Sequence, residues 1–210
     1  MGATAPSSVR QRTLPVPAGW PIVAWSAVAV AALCALASLA AGAGEPGWRA
    51  AIRLSARTSF ALFTAAFVAS SVTIRWPNPF TRWLLANRRY VGVSFAASHA
   101  IHLIAIIGLA RVAADFPLAP AALIGGGLAY GFLATMTATS FDRTAAWLGA
   151  RRWRLLHKTG MYYCWVIFFI TFLPRALAGS AFYGSVIAVQ LGALLLRAAT
   201  RSLSRSVSEQ

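Results

Sequence analysis

Residues 21–41 read PIVAWSAVAVAALCALASLAA, a run from Pro21 to Ala41 with no charged side chain. A helix of about 20 mostly apolar residues crosses a hydrocarbon core of about 30 Å, so this stretch reads as a membrane span. Its Ala-rich end resembles a signal-peptide cleavage region, but the apolar run is longer than the roughly 7–15 residues of a signal h-region. Working outward, five more stretches qualify: about Leu54–Ile74, Val91–Ala110, Leu118–Thr139, Arg154–Arg175 and Ala176–Leu196. Arg57 lies near enough to the end of the second to snorkel. His157 and Lys158 fall in the first turn of the fifth. None of these stretches alternates polar and apolar residues as a barrel strand would. The expected fold is therefore an all-α integral membrane protein with six transmembrane helices over residues 20–196. A flexible polar tail (1–19) precedes them and a basic tail (197–210), also expected to be flexible, follows. Trp76-Pro77-Asn78-Pro79 is a turn signal, and Arg82–Arg89 suits an interfacial helix with Trp83 at headgroup depth.

Composition agrees. The chain of 210 residues is 59% hydrophobic and 11% charged, against about a quarter charged in a soluble domain. Its 19 Lys+Arg against 4 Asp+Glu give a net charge of +15. Such a charge usually suggests nucleic acid, but here the basic residues sit between apolar spans rather than on a soluble face. They are also asymmetric. Arg10, Arg12, Arg75, Arg82, Arg88, Arg89, the Arg143–Lys158 group and the Arg197–Arg205 group share the side that holds both termini. Arg49, Arg53, Arg57, Arg111 and Arg175 share the other. Positive residues stay inside, so both termini are expected to be cytoplasmic, and the charge reads as a topology signal. The lipid bilayer is the expected partner, and nucleic acid is not one. No internal repeat suggests a transporter of inverted halves.

Ionisable groups inside a membrane are functional suspects. The three histidines are His99 and His102 in the third span and His157 opening the fifth. No carboxylate lies deep in a span: Asp115 and Asp142 fall in loops and Glu45 just beyond the first helix. Proton-coupled transport and paired-carboxylate hydrolysis lose their usual residues, and a zinc site wants three or four ligands. Intramembrane imidazoles can instead ligate haem iron from two helices. His99 and His102, three apart, share one helical face, and interhelical hydrogen bonding is their plainer reading. Arg88, Arg89, Arg151, Arg152 and Arg154 flank the two helices and suit haem propionates, although topology alone also accounts for them. Cys34 and Cys164 read as small packing residues, and Gly127-x-x-x-Gly131 as a close-packing motif. Tyr162, Tyr163, Trp165, Phe168 and Phe169 can flank a porphyrin or a quinone, though core and lipid-facing aromatics are commoner.

Two segments carry a resemblance. Arg88-Arg89-Tyr90-Val91-Gly92-Val93 leading to His99-Ala-Ile-His102-Leu, and Thr139-Ser-Phe-Asp142 followed by Arg151-Arg-Trp-Arg-Leu-Leu-His157, resemble the third helix and the fifth-helix approach of ferric-reductase-like transmembrane domains. The similarity is nearest to short bacterial members, of the type of the haem-bearing membrane subunit of the periplasmic methionine-sulfoxide reductase system. It spans roughly residues 50–196. It implies a bacterial cytoplasmic membrane protein that binds haem b, with His102 and His157 as axial ligands and His99 as substitute or hydrogen-bond partner. The family's further fifth-helix histidine is replaced by Ile170, and neither Arg88 nor Phe116 can supply another third-helix ligand. One haem is therefore the expectation. Depth pulls the other way on the ligand: His102 lies about 18 Å along the helix from Tyr90, whereas His157 lies just past the arginines, a level nearer to His99.

The expected function is a membrane cytochrome relaying electrons from a soluble flavoprotein or a quinol to an acceptor, which would include a periplasmic redox partner. The chain would then be the membrane component of an oxidoreductase. The alternatives are a non-haem scaffold or assembly subunit of the same fold and, less favoured, a small-molecule transporter.

Overall fold

The computed structural model describes residues 17–114 and 120–208, with side chains as far as Ser202. The helices are α1 (Trp20–Ala41), α2 (Glu45–Arg75), α3 (Pro79–Ala86), α4 (Arg88–Val112), α5 (Pro120–Ala138), α6 (Asp142–Leu148), α7 (Ala150–Leu177) and α8 (Ala181–Ser208). Six of them, α1, α2, α4, α5, α7 and α8, are long and apolar enough to cross a membrane. The all-α, six-span architecture read from the sequence is the one found.

Several boundaries move. α2 begins at Glu45 rather than near Leu54, because Glu45 and Pro46 open a helix well and Glu45 accepts from Arg49 one turn on, at 2.7 Å. α7 begins at Ala150, not Arg154, and runs through Pro174 to Leu177. The chain then turns at Gly179, whose φ of +87° suits glycine, so the last span begins at Ala181 rather than Ala176. α8 continues to Ser208, so the expected flexible segment beginning at residue 197 is instead helical. The start of the fourth span at Leu118, Asp115 and Phe116, and the tail before Pro17, lie outside the described residues.

The interfacial helix is α3, shifted to Pro79–Ala86, so that Arg88 and Arg89 belong to the first turn of α4. Its start is a reciprocal capping box: Asn78 Oδ1 accepts from the Thr81 amide at 3.0 Å, and Thr81 Oγ1 accepts from the Asn78 amide at 3.0 Å. Asn78→Ala is expected to lower stability by about 1 kcal/mol, measured by unfolding in detergent, and an unchanged midpoint would remove the cap from the account. Trp83 Nε1 donates to the Pro17 carbonyl at 3.0 Å, and the Gly19 amide to Asn87 Oδ1 at 2.9 Å. These bonds bring the start of α1 to the α3–α4 junction.

α2 lies at the centre, packed against α1, α3, α4 and α8. Its Phe60, Phe63 and Phe67 repeat at helical spacing and form one core face. Phe63 meets Phe95 of α4 with ring centroids 5.4 Å apart, and Phe60 meets Phe168 and Phe172 of α7 at 5.6 Å each. Large apolar side chains that remain exposed, such as Trp25, Leu36 and Leu39 on α1, lie on the surface left for lipid. α2 and α4 are also joined by small hydroxyls. Ser98 Oγ lies 3.1 Å from Thr58 Oγ1 and 2.9 Å from Ser59 Oγ, and the serines at 55, 59, 94 and 98 are fully buried. Small polar residues of this kind let membrane helices approach closely.

The close-packing motif on α5 is not used that way. Gly127 and Gly131 meet nothing within 4 Å of where a Cβ would stand. The tight glycines are elsewhere, at Gly160, whose Cβ would lie 2.6 Å from Met136 Sδ, at Gly108 against Trp48, and at Gly47 against the Gly42 carbonyl. Cys34 and Cys164 are free and buried, as expected of packing residues. The fifth-span aromatics also serve packing. Trp165 Nε1 donates to the Gln190 carbonyl while Gln190 Nε2 donates to the Trp165 carbonyl, at 3.2 and 2.6 Å, and Tyr163 donates to the Gly125 carbonyl at 3.0 Å.

Candidate functional site

The histidines fall into two separate places. On α4, His102 and His99 stack with ring centroids 5.1 Å apart, and His99 stacks on Tyr130 of α5 at 4.9 Å. His102 Nδ1 lies 3.0 Å from Ser55 Oγ on α2. That hydroxyl has a single hydrogen, directed to the Ala51 carbonyl at 2.6 Å. With that hydrogen on Ala51, Ser55 Oγ accepts from His102 Nδ1–H, the tautomer that leaves the Nε2 lone pair for a ligand. His99 Nδ1 is buried and has no hydrogen-bond partner. Tyr130 donates to the His99 main-chain carbonyl at 3.2 Å, and the Phe168 ring stands 6.0 Å from the His99 ring. The α4 pair thus stands within an aromatic surround, with His99 Nδ1 unpartnered.

His157 belongs to the second place, a cavity of about 450 Å³ at the end of the bundle where α4 and α7 begin and α5 ends. Its Nε2 lies 3.1 Å from Thr139 Oγ1, and with the hydroxyl hydrogen on the Thr135 carbonyl at 2.8 Å the ring donates there. Trp153 stacks on the imidazole at 4.1 Å and donates its Nε1–H to the Thr139 carbonyl at 2.9 Å. The cavity reaches along α4 only as far as Ala96. His102 is six residues further, about 9 Å at 1.5 Å per residue. The structure therefore does not bring His102 and His157 together across a common space.

The same cavity gathers cations. Arg88, Arg89 and Arg154, expected beside a porphyrin, line it together with Lys158, Arg197 and Arg201. Arg152 is exposed and does not line it. Arg88 Nε donates to the Ala66 carbonyl at 2.9 Å and Arg197 Nη1 donates to the neighbouring Phe67 carbonyl, so consecutive carbonyls of α2 hold both guanidinium groups. Arg197 also lies 4.3 Å above the Phe67 ring. Arg201 donates to the Tyr162 hydroxyl at 2.8 Å. Arg89 is paired with Asp142 at 2.5 Å. Among the described residues the other ion pair is Arg49 with Glu45, and no carboxylate meets Arg88 or Arg197.

Arg88 stands fourteen residues before His102, about 21 Å along α4. One porphyrin held at His102 does not reach from there to these arginines. Ser55, Tyr130, Arg197 and Arg201 were not singled out as site residues from the sequence. The i,i+4 spacing of Ser55/Ser59 with Ser94/Ser98, and of Arg197/Arg201, was the available signal. Among the described residues no group of three or more His, Cys, Asp or Glu is placed to hold a metal ion. No protein-family model, curated protein or solved structure matches the chain.

Proposed function

We propose that this chain is a membrane electron-transfer subunit for a single b-type haem, which His102 of α4 would hold through its iron with His99 beside it. The observation that supports it is the 3.0 Å contact between His102 Nδ1 and Ser55 Oγ. A metal-bound imidazole characteristically donates its other ring N–H to a fixed partner, which orients the ring and keeps the ligand nitrogen basic. The unpartnered, buried Nδ1 of His99 fits the same setting, since a buried ring nitrogen without a partner is costly. Haem bound there supplies a one-electron iron couple. The chain's own part is to hold the proton on His102 Nδ1 through Ser55 and to exclude water with Phe95, Tyr130 and Phe168. A soluble flavoprotein or a quinol is the donor this reading calls for, and the bacterial cytoplasmic membrane is its setting.

The test is a dithionite-reduced minus oxidised spectrum of the purified protein, with pyridine haemochrome quantification after expression with ample haem. A sharp b-type band at stoichiometric haem is expected. A colourless, folded protein would end this reading.

The second reading, a non-haem scaffold of the same fold, is favoured by two observations. His157 Nε2 is engaged by Thr139 Oγ1 at 3.1 Å and its ring is stacked against Trp153. Ile170, where a further ligand would stand on α7, is 55% exposed on the outer surface.

A further inference from the structure

We propose that the cavity at the arginine-rich end of the bundle binds the phosphate headgroup of an anionic phospholipid, with an acyl chain against its apolar wall. The argument begins with cost. Arg88 and Arg197 are held on consecutive carbonyls of α2, those of Ala66 and Phe67, so two like charges share one cavity with His157. Arg197 Nε is buried with no hydrogen-bond partner. Neutral α2 carbonyls hold part of each guanidinium, but nothing anionic balances them among the described residues. Half-buried cations without a counter-charge are expensive, and a bound anion removes that expense.

The rest of the cavity selects the kind of anion. Phe95, Leu133, Met136 and Met161 form an apolar wall, while Arg154, Lys158 and Arg201 add further charge. A small hydrophilic anion leaves that wall wet, whereas an amphiphile covers it. The position also fits, because the cavity lies where α4 and α7 start and α8 leaves the apolar stretch, the level of lipid headgroups. Basic pockets between membrane helices are a recurrent form of headgroup recognition, and guanidinium groups match phosphate oxygens in bidentate fashion. This site is distinct from the His99/His102 pair, and the inference holds whether or not haem is bound there.

The experiment is native mass spectrometry of the full-length protein in a non-ionic detergent. The protein is titrated with phosphatidylglycerol, with phosphatidylcholine of the same chains, and with inorganic phosphate. The wild-type protein is expected to retain phosphatidylglycerol in preference to phosphatidylcholine. Arg88→Gln and Arg197→Gln should each weaken retention by about tenfold, equivalent to ~1.4 kcal/mol. Arg88→Lys, which keeps the charge and loses the planar fork, should fall between. Arg151→Gln with Arg152→Gln, which removes two exposed charges outside the cavity, should leave retention unchanged. If the glutamine variants fail to fold, Lys158→Gln with Arg201→Gln at the rim must still lower retention. Equal retention of the two lipids, or an equal loss in the Arg151/Arg152 control, would overturn the proposal. Displacement of lipid by inorganic phosphate at matched concentration would make the ligand a soluble phosphate and overturn the lipid assignment. A porphyrin lost in Arg88→Gln but kept in His102→Ala would make this a propionate site instead.

Discussion

Gly108→Ala is expected to destabilise the bundle by about 1–3 kcal/mol, the usual cost of overpacking a filled interface. The added Cβ would stand 2.6 Å from Cδ2, Cε2 and Cε3 of Trp48, atoms at the centre of a rigid indole. That ring has little room to yield. It packs with a cluster formed by Val30 and Cys34 of α1, Ala51 of α2 and Ala105 of α4. Relief would require α2 and α4 to separate, and their buried serine contacts oppose separation. Gly160→Ala makes a useful contrast: its new Cβ meets Met136 Sδ at 2.6 Å, but a thioether side chain has other rotamers. Its cost should be smaller. Gly192→Ala on α8 meets nothing within 4 Å and should be neutral or stabilising. The measurement is reversible unfolding in mixed detergent, with Trp48→Leu completing a double-mutant cycle. Coupling of about 0.5–3 kcal/mol between the two positions is expected. Additive effects would show that the contact is not what limits stability.

The six spans were legible because a bilayer imposes a length and an apolarity that a short window of sequence can display. Helix ends were less legible. Hydropathy falls off at charged residues, but backbone bonding continues through them, so α2 starts at Glu45 and α8 passes Arg197. The boundary between the last two spans was set at Arg175, a charged residue, yet α7 carries Pro174 and Arg175 inside it and runs on to Leu177. The glycine motif on α5 misled because spacing marks a smooth helix face without saying what lies opposite it.

The site was legible in its residue types and not in its geometry. Histidines and arginines stood out by chemistry, yet their grouping depends on which way each helix face turns. His102 turns toward Ser55 of α2, a residue with no distinction in the sequence beyond its spacing from Ser59. His157 turns toward Thr139 and the cavity. Arg197, which sequence assigned to a tail, folds back onto the Phe67 carbonyl because α8 continues past the apolar stretch. Long-range partners of this kind are set by packing, which no local pattern encodes.

The His102 region supplies the largest functional contrast. Under the proposed reading, His102→Ala should abolish haem retention in the purified protein, because it removes the ligating imidazole. Ser55→Ala keeps the ligand but releases its Nδ1–H, and the loss of such a partner typically costs about 10–100-fold in affinity. Ser55→Thr restores a hydroxyl and should recover most of it. That graded series separates an orienting role from a packing one, since Ser55→Ala removes only one oxygen from the α2–α4 interface. His157→Ala should retain haem, because its ring donates to Thr139 and lies in the cation-lined cavity, beyond the reach of a porphyrin held at His102. Haem content is read by pyridine haemochrome, alongside a folding check by thermal unfolding. If His157→Ala loses haem as completely as His102→Ala, both imidazoles ligate one iron, and the Thr139 and Ser55 contacts describe a state that rearranges on binding. Should His99→Ala alone lose it, the stacked partner is the ligand, and the unpartnered Nδ1 of His99 marks the coordinating edge.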